Sequence, residues 1–95
     1  MAYVLSRTRL KDYETWKAAF AGPEGRAARK AAGAKSCRIF RAQNDPNDIT
    51  VLFEWDSLDN AHKYYDTEAF RKKQPKVVLS PPEIFYLEEV ESGAD

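Results

Sequence analysis

A strand–helix–strand–strand–helix–strand order, a two-residue apolar alternation in the strand runs, and large apolar groups on both strand faces predict an α+β, ferredoxin-like βαββαβ fold. In that fold a four-stranded antiparallel sheet carries its helices on one face only. The 95 residues suit a single compact domain over residues 1–95, ending in a polar tail from about residue 91.

The elements follow in order. Tyr3 to Leu10 alternates Val4, Ser6, Thr8 and Leu10 on one side with Tyr3, Leu5, Arg7 and Arg9 on the other, the period of a strand. Asp12 then caps a helix on which Tyr13, Trp16 and Phe20 recur at helical spacing. Gly22-Pro23 interrupts that helix and starts a second piece, Glu24 to Ala32, which Gly33 terminates and whose alanines predict close packing. Lys35 to Ala42 and Asp48 to Trp55 read as a hairpin, joined through Gln43 to Asn47 with Asp45-Pro46-Asn47 as a type I turn. Asp56 or Ser57 caps a further helix bearing Leu58, Ala61, Tyr64 and Tyr65, predicted to run, with a break near Thr67, to about Gln74 before Pro75. After the Ser80-Pro81-Pro82 connector, Ile84 to Leu87 forms the last strand.

Composition narrows the function. Fifteen Lys and Arg balance fifteen Asp and Glu, so no excess positive field gathers nucleic acid or an anionic membrane surface. A lone Cys37 makes no internal disulfide, and with the single His62 it cannot build a structural zinc site. No window resembles a secretory leader or a membrane span, so a cytoplasmic location is expected. Helices on one sheet face leave Tyr3, Leu5, Phe40 and Leu52 uncovered, with either Phe85 and Leu87 or Ile84 and Tyr86. Such a patch exceeds what a monomer commonly exposes, and a homodimer is expected to bury it.

Asp12-Tyr13 through Trp16-Lys17, Arg29-Lys30-Ala31-Ala32-Gly33, Phe40-Arg41 with Asp45-Pro46-Asn47, and Phe53-Glu54-Trp55-Asp56-Ser57 together resemble the antibiotic biosynthesis monooxygenase-like group of dimeric α+β barrels. The resemblance spans nearly the whole chain. It implies a homodimer whose sheets face each other and a ligand site between each sheet and its own helices. The activity it implies is oxidation of a small aromatic or polyketide-like molecule with no cofactor. Thr8 stands where the oxygenases of the group carry an asparagine, and Gln74 or a neighbouring lysine stands where the haem degraders carry their histidine.

Trp55, His62 and Tyr65 are the catalytic candidates, and Ser6, Thr8, Trp16, Phe20, Phe53 and Tyr64 the substrate-binding ones. Trp55 shares a strand face with Val51 and Phe53, which fits a core aromatic or a donor to a substrate oxygen. Ser6 and Thr8 are small and leave space above the sheet. His62 has Asp59 and Asp66 one helical turn away and is either a surface residue or a general base. Tyr64 and Tyr65 cannot both face the core fully, and Tyr65 is the favoured proton donor. Cys37 reads as a buried small hydrophobe. No metal site is expected. Cyclisation without oxygen chemistry, and non-catalytic binding of a small molecule, are the alternatives to oxygenation.

Overall fold

The computed structural model describes residues 2–67, 70, 78–79 and 81–93. Strands β1 (Ala2–Arg9), β2 (Ala34–Ala42), β3 (Asp45–Trp55) and β4 (Glu83–Glu88) form one antiparallel sheet in the order β2-β3-β1-β4. Helices α1 (Tyr13–Phe20), α2 (Pro23–Ala32) and α3 (Leu58–Tyr65) complete the ferredoxin-like arrangement. The expected run of the third helix to Gln74, and its stop at Pro75, lie outside the described residues.

Register fixes which side chains meet. Val4 pairs with Phe53, Ser6 with Val51 and Thr8 with Ile49, so the apolar set of β3 and the small set of β1 share the helical side. On β4, Tyr86 pairs with Val4 and Ile84 with Ser6. Phe85 and Leu87 therefore belong to the opposite face, with Tyr3, Leu5, Phe40 and Leu52. The core is the helical side: Val4, Leu10, Trp16, Ile49, Val51, Phe53, Trp55, Ala61 and Tyr65 are buried and contiguous.

Local chemistry sets the helix ends. The Asp12 carboxylate accepts from the Thr15 backbone N–H at 3.1 Å, and Ser57 Oγ accepts from the Asn60 N–H at 3.1 Å, each satisfying a donor the first helical turn leaves open. Gly33 closes α2 at φ 124°, where a side chain is strained, and its carbonyl accepts from Asp56 N–H at 2.9 Å.

Three expectations need correction. The hairpin turn is Gln43-Asn44 alone, because β3 begins at Asp45. Ala42 pairs with Asp45 while Arg41 pairs with Ile49, so Pro46, Asn47 and Asp48 bulge out of the β2 ladder. Proline has no donor to lose there, Asp45 Oδ1 accepts from Asn47 N–H at 3.0 Å, and the Asn47 carbonyl accepts from Leu10 N–H at 2.8 Å. Cys37 is exposed rather than buried, since β2 is an edge strand beyond the reach of the helical cover. The alanines of α2 do not pack closely: the helix buries none of its residues. A gap lies between it and the strands β1 and β3.

Candidate functional site

The gap is a cleft of about 700 Å³ between the sheet and the helices. Its floor is Ser6 and Thr8 of β1 with Val51 and Phe53 of β3. Trp16, Ala19 and Phe20 of α1 form one wall, Glu24, Gly25, Ala28 and Arg29 of α2 the roof, and Lys63, Tyr64, Tyr65, Thr67, Phe70 and Pro82 the far side. Ser6, Gly25 and Ala28 are what make it hollow, because larger groups at those positions would fill it. The volume suits a ligand of one to three fused rings, within the roughly 300–1,000 Å³ typical of small-molecule sites.

The walls are aromatic and mutually braced. Trp16 stacks on Phe20 with centroids 4.8 Å apart, Phe20 tilts against Phe53 at 6.0 Å, and Phe53 against Tyr65 at 6.0 Å. Tyr64 and Tyr65 meet edge to face at 5.0 Å, so both reach the cleft, one from its edge and one from its base. Each aromatic thus holds the next in a fixed rotamer.

Two buried polar groups lack a well-formed hydrogen bond. Trp55 Nε1 and the Tyr65 hydroxyl are both enclosed, and the only polar approach between them is the indole N–H toward the phenol oxygen, whose pull opposes the effect of burial. Their rings lie 5.5 Å apart. Burial pushes the Tyr65 phenol well above the usual tyrosine range, which keeps its proton in place as a donor. Burial raises Tyr64 as well, with the Arg29 charge opposing it.

The sequence candidates separate in space. Ser6, Thr8, Trp16, Phe20, Phe53, Tyr64 and Tyr65 all line the cleft. Trp55 does not: it lies behind Tyr64 and Tyr65, at 5.6 and 5.5 Å, and is 1% exposed. His62 is also absent from the lining. It sits on the exposed side of α3, its Nδ1 2.8 Å from Asp66 Oδ2 and its ring stacked 3.6 Å from Tyr86, whose hydroxyl donates to Asp66 Oδ1 at 2.9 Å. Burial, then this bond to a carboxylate, hold the Tyr86 phenol up at about 12. The helix phase that brings Ala61 and Tyr65 to the core turns His62 outward.

Sequence reasoning missed Arg29 and Lys63. The signal for Arg29 was its spacing from Gly25 and Ala28, four residues and one, which puts all three on one face of α2. Among the described residues no group of three or more His, Cys, Asp or Glu is placed to hold a metal ion. No described helix is long and apolar enough to cross a membrane.

Sheet order and cleft define a ferredoxin-like α+β protein with a ligand-sized space between its layers. No protein-family model and no curated protein matches the sequence. Solved structures do match. A Bordetella bronchiseptica protein named as an antibiotic biosynthesis monooxygenase superposes with a TM-score of 0.74 at 18% identity, over 95% of this chain and 97% of its own. Further neighbours carry the same family name. A dimeric ferredoxin-like protein from an uncultured marine organism gives 0.66 at 16% identity, over 100% of both chains. The protein MhuD, as a variant with two manganese protoporphyrin IX molecules bound per active site, gives 0.57 at 12% identity, again over 100% of both. At these identities the likeness is one of fold.

Proposed function

We propose that the protein is a homodimeric member of the antibiotic biosynthesis monooxygenase-like group that takes a small aromatic molecule into the cleft and oxidises it without a cofactor. The aromatic cleft of about 700 Å³ carries this reading. Rings on several sides offer stacking partners to a planar ligand. In the reaction, a phenol or enol of the ligand loses a proton to water at the cleft mouth. The nucleophilic carbon of that enolate, conjugated with the oxygen but not bearing it, reacts with dioxygen; one oxygen atom stays on this carbon as a new carbonyl, and the other leaves as water with the two hydrogens the same carbon carries in the keto form. Trp55 acts through Tyr64 and Tyr65 as a positioning residue.

The dimer reading rests on the uncovered sheet face. Phe40, Phe85 and Leu87 are 51%, 45% and 40% exposed there, around a shallow trough bounded by Tyr3, Leu52 and Leu87. The dimeric neighbour supports it.

Porphyrin, bound by one neighbour, does not fit these residues. A haem iron needs an axial side chain such as His, Cys, Met or tyrosinate. Among the described residues the cleft lining has no His, Cys or Met, and His62 lies outside it, bonded to Asp66.

The deciding experiment is oxygen uptake on anthrone, naphthol and hydroquinone substrates by protein stripped of metal and flavin. Uptake with one quinone carbonyl formed per dioxygen consumed supports the oxygenase. Ligand binding without uptake would replace it with the binder or cyclase reading, which the position of His62, the chain's one imidazole, outside the cleft favours.

A further inference from the structure

We propose that the cleft selects anions: its ligand is an aromatic acid or phenolate whose charged oxygen is held by Arg29. This rests on the aromatic-cleft reading above and names the charge class of the ligand that fills it.

Arg29 is half-buried in the roof of the cleft, and its guanidinium carbon lies 4.0 Å over the Phe20 ring. One Nη2–H donates to the Phe20 carbonyl at 3.0 Å. That bond occupies one of the fork's donors, and no described carboxylate pairs with the group. Such a cation is costly to hold away from water unless something anionic completes it. Its position is also built in. A Cβ at residue 25 would come within 3.2 Å of Arg29 Nη1, so Gly25 is the opening through which the guanidinium lies across its own helix.

The surroundings agree on sign. Lys63 of α3 lines the opposite side, and the one carboxylate among the described lining residues, Glu24, is exposed in the first turn of α2, where it complements the helix N-terminus. Among the described residues, two cations against one anion leave the cleft positive in a chain of zero net charge. The Arg29 charge reaches both tyrosine hydroxyls and pulls their protons toward release, against the effect of burial. A phenol bound beside them would be drawn toward its anion in the same way, and the anion is the form that reacts with dioxygen. The neutral aromatic face of Phe20, Phe53 and Trp16 then supplies affinity, and Arg29 supplies the choice between charged and uncharged rings.

The test is calorimetric titration with two probes of equal shape, 2-naphthoate and 2-naphthamide, into wild type, Arg29→Met, Arg29→Lys and Lys63→Met. Wild type should bind naphthoate about tenfold or more tightly than naphthamide, the scale of one charge-assisted, partly desolvated contact. Arg29→Met should bring naphthoate to the naphthamide level in the same variant, with cooperative guanidinium unfolding showing that the variant is folded. Arg29→Lys should keep part of the preference. If Arg29→Met does not fold, the wild-type ratio and Arg29→Lys carry the test. Equal binding of the two probes by wild type, or a preference that survives Arg29→Met and disappears in Lys63→Met, overturns the anion assignment and leaves the aromatic cleft standing. Binding of neither probe by folded wild type defeats the cleft reading itself, and the assignment with it.

Discussion

Replacing Tyr65 with Phe should make the protein more stable. The change deletes one oxygen and no carbon, so packing against Phe53, Trp55, Tyr64 and Phe70 is kept. What goes is a buried hydroxyl with no well-formed hydrogen bond, approached only by Trp55 Nε1, and its desolvation costs about 1–3 kcal/mol. Tyr65→Phe should therefore gain about 1 kcal/mol or more. Trp55→Phe is the matched perturbation with a cost on the other side. The smaller ring forfeits about two buried carbons, roughly 1.6 kcal/mol at about 0.8 kcal/mol each, and leaves a void worth about 1 kcal/mol. Removing the unpartnered Nε1–H returns about 1–3 kcal/mol, so the net effect should lie within about 1.5 kcal/mol of zero. Were that N–H bonded, the same change would cost about 3–4 kcal/mol in all. Guanidinium unfolding at one fixed protein concentration reads both values, with Trp16 as the remaining fluorophore in the second variant. A loss above about 1 kcal/mol for Tyr65→Phe, or above about 3 kcal/mol for Trp55→Phe, would refute the claim that these donors are unsatisfied. Tyr65→Phe should also weaken a ligand whose oxygen accepts from it, so that stability and binding move in opposite directions.

Light scattering should return about twice 10.9 kDa, and Leu52→Glu, which sets a charge in the middle of the open sheet face, should halve that mass or unfold the chain. A wild-type monomer at low micromolar concentration would remove the dimer. Gly33→Ala should destabilise by about 2 kcal/mol or more, because φ 124° is strained for alanine and the new Cβ runs into the Asp56 carboxylate. Adding Asp56→Ala should recover the collision but not the backbone strain, and full recovery in a denaturation cycle would show the strain to be absent. Tyr86 is held up at about 12 and Tyr65 is also raised, whereas an unfolded tyrosine ionises near 10. Between those values the folded chain holds protons the unfolded one has lost, so stability should be intact below about pH 10 and fall as pH rises toward about 12. The slope should be shallower in Tyr65→Phe, and an identical slope would contradict the raised value.

The fold was legible because period and punctuation agreed at every element. Val4, Ser6, Thr8 and Leu10 lie on one face as their alternation requires, Asp12 and Ser57 cap where short polar side chains precede apolar periodicity, and Gly33 stops a helix. Seven site candidates also line the cleft, since they lie on the helical side of known strands and on the core stripes of known helices. What escaped was set by tertiary placement. Asp45-Pro46-Asn47 has turn chemistry, yet the end of β1 draws Asn47 into a hydrogen bond with Leu10 and makes the segment a bulge. Cys37 has the composition of a core residue but lies on an edge strand. Trp55 of β3 and Tyr65 of α3 both point into the layer between sheet and helices, and only the depth of each side chain decides which of them touches the cleft.

The empty space itself has a sequence origin, read in reverse. A helix of alanines and one glycine should pack tightly, because small side chains allow close approach. Here none of the residues of α2 is fully buried, and Gly25 and Ala28 look across the cleft at Ser6 and Thr8. Small residues facing small residues, with Trp16, Phe20, Phe53 and Tyr65 bracing the sides, keep the layers apart as a frame does. A chain of 95 residues has little apolar burial to spare, so leaving about 700 Å³ unfilled, two donors unpartnered and a guanidinium uncompensated works against its stability. Each of these deficits lies in or directly behind the same cleft, and the two that open onto it, the empty volume and the guanidinium, would be relieved by one kind of molecule: flat, apolar across its faces, and carrying an oxygen that accepts hydrogen bonds. That coincidence of unfavourable terms, more than the likeness of fold, is the physical argument that the cleft exists to be filled.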